Sequence, residues 1–307
     1  MKDWKRVLLG GGGLAVVLAG VALAEGNGLG PHETSPPNRW GYGYPHNLDA
    51  EISAPLVHRI RYKDDHAWLM EVSNPPGFVM EQHGHPYPSV FARDSAGPPA
   101  GGNLSGGARY LDPDSPKNGQ NWRDGPGPAG AQYPQCTSAD PQAPHNPANQ
   151  GEWPLHFFRI EFLRVDQDDT NAMRHRYGKI AAVKKLYETD EMRFVEVTVP
   201  VGQTLPEHTE AYPSVLAFDS VDSFNALATL SGPSAGKSDP PLGQIAPRCL
   251  TTAAGATPAI VNRGELPIHF YRFDFKRVGK NGEGEAIKDN WRKWYPYMLE
   301  MKGVKPQ

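Results

Sequence analysis

The sequence predicts an all-β protein made of two tandem copies of one strand-rich unit. Three observations carry this. Residues 77–90, Gly-Phe-Val-Met-Glu-Gln-His-Gly-His-Pro-Tyr-Pro-Ser-Val, return 125 residues later at 202–215 as Gly-Gln-Thr-Leu-Pro-Glu-His-Thr-Glu-Ala-Tyr-Pro-Ser-Val. Both stretches keep a Gly, five residues, His-x-(His or Glu), then Tyr-Pro-Ser-Val. Later in the chain the offset between matching residues falls to 113, and the whole difference lies in one loop, as expected for two copies of one fold. Finally, short β-prone runs alternate with Gly/Pro turns and no long amphipathic helix is visible, which is the pattern of a sandwich or barrel.

Composition sets the limits. Hydrophobic residues make up 38% of the 307 and mean hydropathy is −0.56, enough for two small β cores joined by long polar loops. An aromatic content of 10% argues against general disorder despite 33 Gly and 31 Pro. The net charge of −3 comes without a basic stripe, so nucleic acid is not an expected partner. No Gly-x-Ser-x-Gly elbow, phosphate loop or dinucleotide fingerprint is present.

Residues 1–24 read as a secretory signal: Lys2, Lys5 and Arg6 precede an apolar run, and Ala22-Leu23-Ala24 is an Ala-x-Ala cleavage site. An uncleaved anchor is the rival reading, but the apolar run is short for a membrane span. A periplasmic or secreted protein is expected, with no stable membrane anchor after cleavage. Residues 25–55 form an N-terminal arm, with Trp40, Tyr42 and Tyr44 as anchors, or else a linker. The first unit covers 56–165, with a β-like run at 66–72, a Pro75-Pro76-Gly77 turn, the His-bearing strand and a long aromatic strand from Trp153 to Val165. Its excursion over 96–133 is long enough to read as a functional loop or as disorder. Residues 166–178 connect to the second unit, 179–278, and 279–307 form a tail whose Trp291, Trp294, Tyr295 and Tyr297 are expected to dock.

The chemistry starts from period two. In an extended strand, Glu81, His83 and His85 point the same way, and two imidazoles at i, i+2 need a third ligand from a neighbouring strand to hold a metal. The stretch resembles the first motif of the cupin superfamily: a Gly (Gly77), five residues, then His-x-His (His83, His85). It departs where that motif has a Glu, at Ser89 or Val90. The second cupin motif places a His four residues before an Asn, which His145 and Asn149 match. In the second copy Asn262 is kept but Pro258 replaces the His.

The resemblance implies two tandem jelly-roll barrels, a bicupin, with one metal centre at His83, His85 and His145 and a degraded second site. His208, Glu210 and His269 would form that second site, a two-His-one-carboxylate set, although His269 aligns with His156 and both lie in Pro-x-His-Phe contexts that the last strand itself requires. Glu81 is the candidate general base or substitute ligand, against a plainer role as a solvated or paired carboxylate. The cofactor is one transition metal: Fe, Zn, Cu, Mn or Ni. The partner is a small polar or aromatic molecule, with a homo-oligomer also in view. Cupin chemistry includes dioxygenases, decarboxylases and isomerases, and many members only bind, so a non-catalytic bicupin is the second reading. Cys136 and Cys249 hold matched places in the two copies; in an exported protein they can bridge, or remain two buried thiols.

Overall fold

The computed structural model describes residues 46–74, 78–93, 106–110, 121–124, 134–139, 141–149, 155–163, 178–228 and 247–278. The expected signal, most of the arm, all but the last residue of the 166–178 connector and the tail beyond 278 lie outside these residues.

A short helix α1 (Ala50–Ser53) leads into the first copy. Its strands are β1 (His58–Lys63), β2 (Ala67–Asn74), β3 (His83–His85), β4 (Ser89–Arg93), β5 (Gly106–Tyr110), β6 (Asn121–Asp124), β7 (Gln135–Ala139), β8 (Gln142–Asn149) and β9 (Leu155–Phe162). The second copy has β10 (Ala182–Glu188), β11 (Met192–Val199), β12 (Thr204–Leu205), β13 (His208–Glu210) and β14 (Ser214–Phe218), then helix α2 (Val221–Ala228). It closes with β15 (Arg248–Thr252), β16 (Gly255–Thr257), β17 (Ile260–Val261) and β18 (Ile268–Phe275).

The copies fold alike. One five-stranded sheet runs β1-β2-β9-β4-β7 and the other β10-β11-β18-β14-β15, the same order strand for strand. Even the irregularity recurs: the β1–β2 register slips between Ile60 and Tyr62, and β10–β11 slips between Lys185 and Tyr187, 125 residues on. Shorter ribbons complete each barrel: β3-β8-β5-β6 in the first, β12-β17 and β13-β16 in the second. The protein is two tandem jelly-roll barrels of one strand order. The loop expected over 96–133 contains the β5–β6 hairpin, which extends the ribbon carrying His83 and pairs Tyr110 with His145. Its Gly106-Gly107 start shows no alternation of polar and apolar residues, so the strand is silent in the sequence.

Side-chain parity on the last strands decides what faces where. On β9, Phe158, Ile160 and Phe162 turn outward and join Phe194, Tyr271, Phe273 and Phe275 in one apolar cluster shared by both barrels. Phe158 and Phe273 sit 4.5 Å apart between ring centroids. Burying aromatic rings of this size stabilises by about 1.5–3 kcal/mol each, so the barrels are joined through a true core. Phe157, Arg159 and Glu161 take the opposite face, into the first barrel. Within the second barrel, Val195, Val197, Phe218, Ile268 and Phe270 form a separate core. Cys136 on β7 and Cys249 on β15 are bonded across the barrels, with 6.3 Å between Cα atoms, so of the two alternatives for these thiols the bridge is the one formed.

Candidate metal centre

Four imidazoles gather inside the first barrel. His83 and His85 come from β3 and are almost wholly buried. His145 comes from β8, directly across from His83 in register. The β3–β8 pairing explains why. His85 faces Gln142 and His83 faces His145, so β8 has one more residue than β3 between the two pairs, a bulge that sets His145 beside His83. Their ring centroids are 4.6 Å apart, and those of His85 and His145 5.7 Å.

The fourth imidazole, His58, begins β1 and belongs to neither repeated motif. Its ring centroid lies 4.4 Å from His83 and 5.2 Å from His85. His58, His83 and His85 each offer a ligand atom within 4.8 Å of the other two, the one such group of three among the described residues. A metal–nitrogen bond of about 2.0–2.1 Å puts neighbouring ring centroids about 4.5–5.3 Å apart, so the spacing suits a shared ion.

The hydrogen bonds fix which nitrogen is offered. His58 Nδ1 lies 3.2 Å from the Ala54 carbonyl, His83 Nδ1 2.7 Å from the Glu81 carbonyl, and His85 Nδ1 2.8 Å from Glu161 Oε1. Each Nδ1–H donates to an acceptor, which leaves Nε2 with the lone pair a metal needs. This is the arrangement by which proteins set the tautomer of ligating imidazoles. Burial pushes the His58 pKa down to about 3 and holds His83 and His85 well below the ordinary histidine range, helped by neighbouring imidazoles and Arg159. All three are therefore neutral, as ligands must be. The donor set fits a borderline transition ion: imidazole nitrogens, no thiolate, and no carboxylate in the group of three.

Glu161 is the buried carboxylate that the motif itself lacks. Ser89, one of the two positions where the motif would have its Glu, pairs across strands with Glu161 of β9. Glu161 Oε1 accepts from His85 and forms an ion pair with Arg159, whose Nε lies 3.0 Å away. Burial raises its pKa to about 7, and Arg159 works in the other direction. Arg159 Nη1 also donates to Gln142 Oε1 at 2.5 Å.

Of the two roles expected for Glu81, its placement matches the plainer one, a solvated or paired carboxylate. It precedes β3, so strand alternation does not govern it; its side chain is exposed, and its contribution to the centre is its backbone carbonyl. The sequence reading also missed His58 and Glu161. Both lie on strands distant in sequence from the motif, and neither has a neighbour in sequence to mark it.

The matching place in the second barrel holds a charge network. Val183 stands at the position of His58, Glu210 at that of His85, and Asp274 at that of Glu161. Arg193 stands at that of Trp68. Arg272 Nη1 bonds Glu210, and its Nε lies 2.9 Å from Asp274 Oδ1. Arg193 Nε donates to Asp274 Oδ2 at 2.5 Å, and His208 Nε2 lies 2.9 Å from Glu210 Oε1. Two guanidiniums thus balance two carboxylates where a cation would sit. The β13–β16 register runs without the bulge, His208 against Thr257, and Pro258 has neither an imidazole nitrogen nor an N–H to offer.

His269 does not join His208 and Glu210. It lies on the outward face of β18, with Nδ1 2.8 Å from Asp219 Oδ2 and Nε2 3.0 Å from Glu196 Oε1. His156 repeats the arrangement with Glu71 at 2.8 Å. The pairs His156–Glu71 and His269–Glu196 are equivalent, so both histidines clamp their own last strand to its neighbour.

No protein-family model matches the chain, and no curated protein does. Similar solved structures include a cupin domain from Bordetella pertussis, at 15% identity over 34% of this chain and 91% of that one, TM-score 0.26. AerE from Microcystis aeruginosa is 11% identical over 71% of this chain and 97% of its own, TM-score 0.22. A variant of Bacillus subtilis oxalate decarboxylase is 12% identical over 76% of each chain, TM-score 0.22. The fold assignment rests on strand order and register, which these TM-scores neither add to nor replace.

Proposed function

We propose that the protein is an exported bicupin that binds one transition metal in its first barrel and acts there on a small polar or aromatic molecule. The observation that carries this is the set of convergent imidazoles whose Nδ1–H groups are already committed to fixed acceptors. His83, His85 and His145 would hold the ion, which would act as a Lewis acid or, if it is iron or copper, activate oxygen. The chain supplies the rest. Burial keeps the imidazoles neutral, Glu161 orients His85, and Arg159 balances the Glu161 charge. Export is supported by the leader-like first 24 residues and by the bond between Cys136 and Cys249, which persists best in an oxidising compartment.

Elemental analysis of the purified protein, with oxygen uptake and product analysis on thiols, phenols and organic acids, tests the proposal. About one metal per chain together with turnover supports it; a chain that takes up no metal after loading refutes it. A non-catalytic binding protein is the second reading, favoured by the exposure of Glu81 and by the arginine-filled second barrel. Stoichiometric metal with no turnover across the panel would select it.

A further inference from the structure

The cupin motifs account for three imidazoles, yet the group of three whose ligand atoms all lie within 4.8 Å of one another, among the described residues, includes one that belongs to no motif. His58 is supplied by the segment that enters the first barrel from its N-terminal side. That segment is built onto the centre at several points. Asp49 forms a parallel bridge with Gly84, the residue between the two motif histidines. Ala54 and Val57 pack with Val72 and Met80 in an apolar cluster of their own. The Ala54 carbonyl accepts from His58 Nδ1, so the same short turn that leads into β1 also sets the ring's tautomer. The second barrel provides the contrast: with no such group of ligand atoms among its described residues, it has Val183 at this position, 45% exposed.

We propose that His58 is a metal ligand recruited from outside the repeated motifs, making the centre all-imidazole and making metal binding pin residues 49–58 against the barrel. This rests on the metal-binding reading above and extends it. His58 takes the coordination place that a motif carboxylate would otherwise fill. Glu161, across from Ser89, stays outside the ligand set and binds His85 Nδ1. Four neutral nitrogen ligands favour Cu, Ni, Zn or Fe over the hard, oxygen-preferring ions. Because His58 connects directly to the 49–57 turn, the ion ties that turn to β3 as a crosslink would.

The test uses the full exported chain, stripped of metal and reloaded with Cu(II). Paramagnetic resonance counts coordinated imidazole nitrogens, and chelator competition gives the affinity. His58→Gln, which keeps an amide donor for the Ala54 carbonyl, is compared with His83→Ala and with Val183→Gln as a control in the second barrel. Loss of a ligand should exceed the roughly 10–100-fold drop typical of an outer partner. His58→Gln should therefore lose more than 100-fold in affinity and one nitrogen from the count, with Val183→Gln unchanged. Hydrogen exchange over residues 49–58 should slow on loading the wild type and respond much less in His58→Gln.

Wild-type protein that binds copper through the other histidines, with His58→Gln unchanged in affinity, nitrogen count and exchange, overturns this inference and leaves the metal reading standing. Wild-type protein that binds no copper overturns both. If His58→Gln proves unstable, the exchange comparison between metal-free and loaded wild type still decides: equal protection of 49–58 in the two states refutes the proposed crosslink.

Discussion

Replacing Glu161 with Gln separates the metal role of the first barrel from its structural role. Gln has nearly the same shape, so the change removes charge with little loss of packing. In the native site Oε1 accepts from His85 at 2.8 Å and is ion-paired with Arg159 at 3.0 Å, with both partners and the carboxylate almost wholly buried. For the metal, Glu161 is an outer partner of a ligating imidazole, and weakening such a contact costs about 10–100-fold in affinity, or about 1.4–2.7 kcal/mol. For the fold, the buried Arg159 loses its ionic partner, a change that costs up to about 3–5 kcal/mol where no other group compensates. Gln142 still accepts from Arg159 and the introduced amide keeps a carbonyl, so about 1–3 kcal/mol is expected. Chelator competition reads the first effect and thermal unfolding of the metal-free protein the second. Asp274→Asn is the control: it weakens the equivalent Arg272 contact in the second barrel, so it should lower stability and leave metal affinity alone. If Glu161→Gln keeps the wild-type affinity within twofold, or if Asp274→Asn weakens metal binding as much, the assignment of Glu161 to the centre is wrong.

Further outcomes are expected. Replacing Cys136 and Cys249 together by Ala opens a closure of 113 residues, worth about 4–5 kcal/mol on chain entropy, so the melting temperature should fall by about 10 °C; a shift under about 2 °C counts against the bridge. Phe273→Ala empties the shared aromatic cluster beside Phe158 and should cost about 3–5 kcal/mol by urea unfolding, whereas loss below about 1 kcal/mol would mean the barrels do not share a core. Metal-free protein should lose stability between pH 7 and pH 5. A histidine held down to about 3 costs nothing above the unfolded value near 6.5, and at pH 5 His58 alone costs about 2 kcal/mol. Glu161, raised to about 7, has the opposite sign: its stabilising effect is complete only below about 4.5 and is lost as pH rises through 7, so it offsets about one histidine of the three. Melting curves across that range check this, and a metal-free protein more stable at pH 5 than at pH 7 would contradict the neutral cluster. Mass spectrometry of exported protein should find Glu25 at the mature N-terminus; Met1 retained in a membrane fraction would point to an anchor instead.

What could be read from the sequence was local or repeated. Two copies of one fold followed from a spacing that survives duplication, and His83 and His85 from alternation within three residues of strand. The parallel between His156 and His269 pointed to a shared role on the last strand, while His269 also stood as a candidate second-site ligand; its pairing with Asp219 and Glu196 is visible only in the structure. Tertiary structure alone decided the rest. The spacing of His145 to Asn149 marked it as a candidate ligand through the resemblance, but its place against His83 depends on the bulge in β8, and a register slip leaves no mark in composition or period. His58 and Glu161 approach the centre from β1 and β9, 25 residues before His83 and 76 after His85, and closing a barrel is what makes them neighbours. Glu81 and Ser89 lie beside the motif histidines in sequence, yet one carboxylate falls outside the strand and the other position draws its carboxylate from a facing strand. In the second barrel the substitutions at 183, 210 and 258 are visible in the sequence. That Arg193 and Arg272 converge on Glu210 and Asp274 is not, because a cation's partner is chosen by proximity in space and by the cost of leaving a buried charge alone.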